Sequence, residues 1–240
     1  MKIALLGYGK MGKIIEQQAI ARNHTIITTI DNEKEWIDNN DLFLQADVAI
    51  DFSTPTSVSN NIDRCFNADI PIVVGTTAWE EYFPAIKQRC IAENKCLFFA
   101  PNFSVGVNIF FEINKKLAEF MNDYPQYNIS IEETHHTQKK DAPSGTAIKI
   151  ADQIIEKIKR INKWVKGETK KDNTLPIVSF RKENIPGTHI VSYKSEIDNI
   201  EIKHTAKSRI GFAMGAVIAA EFVNNKTGLY EMKDLLFNKN

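Results

Sequence analysis

The stretch that decides the fold lies at the start of the chain and reads Lys2-Ile3-Ala4-Leu5-Leu6-Gly7-Tyr8-Gly9-Lys10-Met11-Gly12. A short apolar run, typical of a buried strand, leads into the pattern G-x-G-x-x-G, and a segment with helical spacing follows. The first glycine permits a tight turn, the second lets backbone approach a pyrophosphate, and the third allows close packing of helix on strand. The free N–H groups at the helix start favour phosphates. The stretch therefore predicts a unit that binds a dinucleotide.

The acidic residue that would bind the ribose follows at the expected distance. Asp31 comes directly after the strand-like segment Thr25–Ile30, nineteen positions past Gly12. An aspartate here can accept hydrogen bonds from the ribose hydroxyls of NAD and should repel the 2′-phosphate of NADP, and Asn32 adds no cation. We expect NADH or NADPH as cofactor, with a preference for NADH as the hypothesis. A glycine turn beside an exposed aspartate is the alternative without a cofactor.

Short strands alternate with helix-compatible segments over the first hundred residues, which indicates a parallel sheet. Ligands of such sheets bind at the carboxyl ends of the strands. Two turns occupy that position, after Ile70–Val74 and at the end of Cys96–Ala100, although each is also compatible with an ordinary connection. Asp51–Pro55 is similarly placed and receives no role. The predicted cofactor-binding residues are Gly7, Tyr8, Gly9, Lys10, Met11, Gly12, Asp31, Gly75, Thr76, Thr77, Ala100, Pro101, Asn102 and Phe103.

The pattern changes after residue 103. Val105–Met121 and Ser144–Arg160 carry the apolar stripes of amphipathic helices. Strand-like segments without intervening helices fill residues 175–205, which favours an antiparallel or mixed sheet. The predicted fold class is therefore α/β: a Rossmann-like nucleotide-binding lobe of residues 1–103 plus 211–240, and an inserted α+β lobe of residues 104–210.

The composition argues against nucleic acid and membranes as binding partners. Lys and Arg total 30, as do Asp and Glu, in 240 residues, so the net charge gives no general attraction to nucleic acid or to an anionic membrane. No apolar run reaches the roughly eighteen residues of a membrane span, and the N-terminus does not resemble a signal peptide. The cysteines Cys65, Cys90 and Cys96 match no zinc or redox spacing. We expect a cytoplasmic protein that binds neither nucleic acid nor membrane.

The chemically informative segment reads Glu132-Glu133-Thr134-His135-His136-Thr137-Gln138-Lys139-Lys140-Asp141-Ala142-Pro143-Ser144-Gly145-Thr146-Ala147. Adjacent residues at a strand end point to opposite faces, so His135 and His136 are expected to have different roles. Imidazole suits proton transfer near neutral pH, and Lys139 adds a second proton donor. The amides of Gly145 and Thr146, at a predicted helix start, would bind a carboxylate. The alternative is a surface histidine pair surrounded by solubilising lysines.

The remaining histidines guide the metal prediction. His24, His189 and His204 are scattered along the chain and are predicted to be structural or exposed. Two adjacent histidines without a cysteine or third histidine at ligand spacing do not suit zinc. The sequence therefore predicts no metal site.

Residues 133–147 match the pattern E-x-H-H-x-x-K-x-D-A-P-S-G-T-A, and so resemble the signature of the 4-hydroxy-tetrahydrodipicolinate (dihydrodipicolinate) reductase family of the diaminopimelate–lysine pathway. Two further family blocks match Gly75–Thr77 and Asn102–Asn108, and the similarity continues to Thr227–Tyr230. Many members carry a basic residue where this chain has Asn32, and some accept both cofactors.

The resemblance implies an NAD(P)H-dependent oxidoreductase that reduces 4-hydroxy-tetrahydrodipicolinate to tetrahydrodipicolinate with loss of water. His135 would be the catalytic acid or base and Lys139 the proton donor, while His136, Gly145 and Thr146 would hold the dicarboxylate heterocycle. The inserted lobe would bind the substrate and build a homotetramer through its sheet. Two alternatives remain: another two-lobed NAD(P) oxidoreductase of amino-acid metabolism, such as an aspartate dehydrogenase, and a dinucleotide-sensing protein without catalysis.

Overall fold

The computed structural model describes residues 1–238, which form two compact units. Unit 1 combines Met1–Val105 with the chain from Arg209 onward, and unit 2 is Gly106–Ser208. The borders expected from the sequence, after residues 103 and 210, lie within two residues of these. Residues 239 and 240 of the predicted first lobe lie outside the described residues.

Strands and helices alternate in the first half of the chain and segregate in the second. The strands are β1 (Lys2–Leu6), β2 (Thr25–Ile30), β3 (Val48–Asp51), β4 (Ile72–Val74), β5 (Cys96–Phe99), β6 (Asn128–His135), β7 (Lys163–Lys166), β8 (Thr174–Arg181), β9 (Gly187–Lys194), β10 (Asn199–Ala206) and β11 (Gly228–Tyr230). The helices are α1 (Lys10–Ala21), α2 (Glu33–Asp38), α3 (Asn40–Phe43), α4 (Val58–Asn67), α5 (Phe83–Ala92), α6 (Val105–Met121), α7 (Gly145–Lys157), α8 (Ile210–Val223) and α9 (Met232–Phe237). Within the described residues, no helix has the length and apolar character needed to cross a bilayer.

Unit 1 is a parallel sheet with an apolar layer on each face. Its strand order is β11-β5-β4-β3-β1-β2. Because side chains alternate along a strand, Ile3 and Leu5 join the layer beneath α1 and α8, while Ala4 and Leu6 join the layer on the opposite face, with α4 and α5. Both faces of the sheet are therefore buried, as is usual for parallel sheets. This arrangement confirms the predicted Rossmann-like α/β class.

Unit 2 is a mixed sheet with helices on one face. The order is β10-β9-β6-β8-β7, in which β6 pairs antiparallel with β9 and parallel with β8. Helices α6 and α7 bury an apolar layer that includes Ile131, Ile177 and Val191. Burial alternates along β6, so that Glu133 and His135 continue the buried face that Ile131 belongs to. Two titratable side chains therefore extend the core of unit 2 at the end of its central strand.

Several elements differ from the sequence expectation. Helix α7 ends at Lys157 rather than Arg160, because Ile158 already has an extended backbone with φ −103 and ψ 99. Strands β7 and β11 and the short helices α2 and α3 were not predicted. Strand β7 has four residues and β11 has three, so neither is long enough to show a periodic pattern.

Candidate active site

The glycine-rich turn joins β1 to α1 at the carboxyl edge of the parallel sheet. Gly7 has φ +90, and a Cβ there would lie 2.4 Å from the carbonyl oxygen of Phe52. A Cβ on Gly12 would lie 2.4 Å from the carbonyl oxygen of Gly7, whereas one on Gly9 would meet nothing within 4 Å. Gly9 is the N-cap of α1 and provides no side-chain cap. The turn therefore leaves open space at free helix amides, which suits a pyrophosphate.

The predicted ribose-binding residue lies beside this turn. Oδ1 of Asp31 accepts a hydrogen bond of 2.9 Å from the backbone N–H of Tyr8. The backbone N–H of Asp31 donates to Oε2 of Glu35 at 2.7 Å, and Asn32 caps α2 by accepting from the N–H of Glu35. Glu35 was missed in the sequence, although Asn-x-x-Glu is a variant of the capping pattern that could have revealed it. The carboxylates of Asp31 and Glu35 therefore lie close together beside the glycine-rich turn.

The segment Asp51–Pro55, which received no role in the sequence analysis, has a structural role that depends on Asp51. Its buried carboxylate accepts hydrogen bonds from Thr76 Oγ1 at 2.5 Å, Asn61 Nδ2 at 2.7 Å and Ser53 Oγ at 2.9 Å. Burial raises the pKa of Asp51, and these hydrogen bonds offset part of that rise. Asp51 therefore joins the turn after β3 to the turn after β4. The hydroxyl of Thr76, a predicted cofactor-binding residue, is used within this network.

The other predicted cofactor-binding residues divide into surface and core positions. Thr77 and Pro101 are exposed, and Asn102 is half-buried. Phe103 is 1% exposed, and its ring packs against Phe52 and Phe98 at centroid distances of 5.6 and 5.7 Å. The Phe103 side chain therefore belongs to the core of unit 1, which leaves only its backbone for a cofactor contact.

In unit 2, the two adjacent histidines lie at the end of β6: His135 is its last residue, and His136 follows it outside the strand. His135 is buried, with Nδ1 at 3.3 Å from Oε2 of Glu133. His136 is half-buried, and its Nδ1 has no aligned hydrogen-bond partner within the described chain. Only the first histidine therefore has a carboxylate beside it.

The predicted anion site is the start of α7. Ser144 is the N-cap, and its Oγ accepts a hydrogen bond of 3.2 Å from the N–H of Ala147. Gly145 is exposed, and a Cβ added to it would meet nothing within 4 Å. The first turn contains no acidic residue. The amides of Gly145 and Thr146 are therefore accessible to a carboxylate, and the helix dipole favours its charge.

The loop that carries Lys139 is attached to the sheet by Arg181. Nζ of Lys139 lies 2.8 Å from Oδ1 of Asp141. Burial acts to raise the pKa of Asp141, but the hydrogen bond and charge of Lys139, together with a backbone hydrogen bond, outweigh it and lower that pKa. Arg181 donates to the carbonyl oxygens of Asp141 and Lys139, at 2.5 and 3.3 Å, and also reaches Glu133 at 3.4 Å. Arg181 was missed in the sequence because nothing near it in the chain indicates this role.

His189, which the sequence predicted to be structural or exposed, is buried beside His135. The centroids of the two rings are 5.1 Å apart. The antiparallel pairing of β9 with β6 brings His189 directly opposite Glu133. Ligand atoms of Glu133, His135 and His189 lie within 4.8 Å of one another. Three potential ligand atoms therefore lie close together, and the one from His189 comes from a strand distant in sequence.

The fold and these residues define a two-unit oxidoreductase that uses a nicotinamide dinucleotide. Family models described as dihydrodipicolinate reductase, N-terminus and C-terminus, match residues 1–103 and 106–236. The chain belongs to the dihydrodipicolinate reductase family. This membership confirms the resemblance seen in the sequence and the predicted NAD(P)H-dependent reductase class.

Individual relatives agree with that assignment. The chain is 50% identical over 236 residues to a 4-hydroxy-tetrahydrodipicolinate reductase of Christiangramia forsetii, with 98% of each chain covered. It is 38% identical to a Neisseria gonorrhoeae protein of the same name, over 80% of this chain and 73% of the relative. A dipicolinate-bound dihydrodipicolinate reductase from Paenisporosarcina sp. TG-14 superimposes with a TM-score of 0.76 at 22% identity, over 96% of this chain and 97% of that one, and so shares its fold.

Proposed function

We propose that this chain reduces 4-hydroxy-tetrahydrodipicolinate to tetrahydrodipicolinate with NAD(P)H and loss of water, in diaminopimelate and lysine biosynthesis. The observation that carries the proposal is the 50% identity to the reductase of Christiangramia forsetii over 98% of both chains. The groups of unit 2 support the proposal. Helix amides can bind a carboxylate of the substrate, and an imidazole and an ammonium group can donate the proton that the reduction requires.

Unit 1 would hold the dinucleotide. The amides that follow Gly9 would bind the pyrophosphate, and Asp31 would accept hydrogen bonds from the ribose. When bound, the reduced nicotinamide supplies the hydride. NADH is the proposed preference, because Asp31 and Glu35 lie together and no described contact brings a cation to either carboxylate. Measuring kcat/KM for both cofactors tests this preference, and equal or better use of NADPH would contradict it.

Unit 2 would hold the substrate and provide the proton. The amides of Gly145 and Thr146 would bind one carboxylate, with His136 completing the dicarboxylate site. Lys139 and His135 would deliver a proton to the electron-rich ring left by reduction. Asp141 and Arg181 hold the Lys139 loop, so the position of that ammonium is defined by contacts within unit 2.

The assay follows NADH oxidation with substrate formed from pyruvate and aspartate semialdehyde. His135→Ala and Lys139→Ala should each lower kcat by roughly 10²–10⁴, the usual contribution of a proton-transfer group. NADH affinity should be unchanged, since both residues belong to unit 2. Lys140→Ala is the matched control, because this neighbouring lysine is exposed. Wild-type turnover in both variants, or turnover of aspartate instead, would contradict the proposal.

The proposal extends to assembly and location. A homotetramer would form through the sheet face of unit 2 that carries Thr134, Phe180 and Ile190, opposite the face packed by α6 and α7. Phe180 is 42% exposed on that face, as expected of a residue that a second copy covers. A cytoplasmic location is in keeping with the three cysteines, which are free and buried.

A further inference from the structure

The proposed function gives no role to a buried carboxylate that lies beside His135. Glu133 is 0% exposed at the end of β6, two residues before His135 on the same face. Both its oxygens accept from the backbone N–H of Ser144 at 3.1 Å, and Arg181 approaches Oε1 at 3.4 Å. A buried carboxylate is costly unless its contacts compensate it. Glu133 therefore joins the start of α7, the Lys139 loop and the central strand at one point.

The carboxylate also determines which nitrogen of His135 carries a hydrogen. Nδ1 is buried with no aligned hydrogen-bond partner among the described residues, and Oε2 of Glu133 lies 3.3 Å from it. A lone pair on Nδ1 would face an anion, whereas an N–H there would be attracted to it. Burial acts to raise the pKa of Glu133, but His135 and the Ser144 hydrogen bonds outweigh it and lower that pKa well below its usual range. Glu133 therefore stays ionised beside the ring.

The other ring nitrogen of His135 lies beside Gly187. A Cβ built on Gly187, across from β6, would lie 3.0 Å from Nε2 of His135, with only ring atoms of this histidine within 4 Å. The glycine therefore leaves space beside Nε2 that another residue would fill. Nε2 therefore lies on the side of this glycine, and Nδ1 is the nitrogen held against the carboxylate.

His189 completes the arrangement as a neutral neighbour. Burial and the nearby His135 lower the pKa of His189 to about 4, so it does not compete for a proton near neutral pH. Its Nε2 lies 3.3 Å from Oγ of Ser144. Because that oxygen already accepts from Ala147, its hydrogen is available for donation to Nε2. His189 thus lies beside Glu133 without taking the proton that His135 needs.

We propose that Glu133 is a positioning residue. It holds His135 with Nδ1–H toward its own carboxylate and Nε2 toward Gly187. Through its hydrogen bonds with the Ser144 amide, it also fixes this ring relative to the anion-binding start of α7. The effect on turnover rests on the proposed function, but the orientation of the ring does not. Charged groups near the pair are Arg181 on β8 and Lys139 with Asp141 in the loop, and the neutral His189 lies on β9.

A bound metal is the competing use of the same side chains, since Glu133, His135 and His189 together offer three ligand atoms. The contacts favour positioning, because the Ser144 amide and the Arg181 cation already occupy the carboxylate. Metal analysis of the purified protein distinguishes a metal site from a positioning role of Glu133. One equivalent of tightly bound zinc, lost in His189→Gln, would overturn the proposal.

The direct test is NMR of the histidine rings in protein labelled with ¹⁵N-histidine. The chain has five histidines, so the spectrum contains few signals. His135→Gln assigns the His135 signals by their loss. Long-range ¹H–¹⁵N correlations should show a protonated Nδ1 in wild-type protein, and Glu133→Gln should move the pattern toward protonated Nε2. The control Glu132→Gln, the adjacent half-exposed glutamate on the opposite face, should change nothing. A wild-type His135 protonated only on Nε2 would overturn the proposal without any need for a folded variant.

Kinetics then separate positioning from general damage. Glu133→Gln should lower kcat about 10- to 100-fold, in the range of other residues that orient a functional histidine, with Glu133→Asp recovering part of it. In a His135→Ala background, Glu133→Gln should lower kcat by less than about threefold. The effects of two residues are not additive when one acts through the other. Additive losses would overturn the proposal. Absence of reductase activity in wild type would contradict the proposed function alone, and the NMR result would still decide the orientation of His135.

Discussion

Adding one methyl group to Gly9 should separate cofactor binding from folding. A Cβ at this position meets no atom within 4 Å, and Gly9 has φ −77, which any L-residue adopts. Gly9→Ala should therefore fold like the wild type, with a loss of no more than about 1 kcal/mol from the poorer N-cap. The methyl would occupy the space over the first-turn amides of α1. NADH affinity should fall while the free energy of unfolding hardly changes.

The size of the effect follows from the hydrogen bonds that the methyl would block. A hydrogen bond from a backbone amide to a charged phosphate contributes about 1.5–3 kcal/mol. Loss of one such bond corresponds to a roughly 10- to 100-fold rise in Kd, since about 1.4 kcal/mol is a factor of ten. Titration calorimetry with NADH measures the Kd, and urea unfolding measures the stability of the same sample.

Two neighbouring glycines provide the contrast. Gly7→Ala would place a methyl 2.4 Å from the Phe52 oxygen on a residue with φ +90, and Gly12→Ala would place one 2.4 Å from the Gly7 oxygen. Backbone atoms cannot yield as side chains do, so both variants should lose about 1–3 kcal/mol or more of unfolding free energy. If Gly9→Ala binds NADH as the wild type does, the assignment of this turn to the pyrophosphate is refuted. If it unfolds as readily as the other two variants, the open space at Gly9 is refuted.

Two further predictions concern unit 2. The pKa of His189 is about 4 in the folded protein and 6.5 when unperturbed. Between these two pH values the imidazole is protonated in the unfolded chain but not in the folded one. The free energy of unfolding should therefore fall as the pH is lowered from 6.5 to 4. The loss, on the order of 3 kcal/mol, should be largely absent in His189→Gln, and parallel curves from urea unfolding at several pH values would contradict it. Phe180→Asp should lower the mass seen by light scattering, because burying a charge at a subunit interface is costly. Phe120→Asp, at an exposed position on α6, should not. An unchanged mass for Phe180→Asp would exclude this sheet face from the assembly.

The parts of the fold that were predictable are those written in local periodicity. The apolar run of β1 and the glycines after it predict a strand, a turn and a helix within about twenty residues, and the structure has them. The alternation along β6 likewise separates the buried Glu133 and His135 from the half-exposed Glu132 and Thr134. Strand β11, with three residues, carries no such signal and forms because it pairs with β5 in an existing sheet.

The candidate site was predictable only where its residues are neighbours in the chain. His135, Lys139 and the start of α7 lie within one segment whose residue types indicate proton transfer and anion binding. Arg181 and His189 reach the same site from β8 and β9. Their positions depend on strand register, which results from pairing between segments far apart in sequence.

The amino-acid sequence by itself determined the βαβ start of unit 1, the class of cofactor and the chemical character of residues 133–147, because each depends on residue type and short spacing. Only the tertiary structure decided that Glu133 is buried between a histidine and an arginine, and that His189 stands beside both. Burial and charge at a point in space arise from every strand that meets there, and no single stretch of chain contains that information.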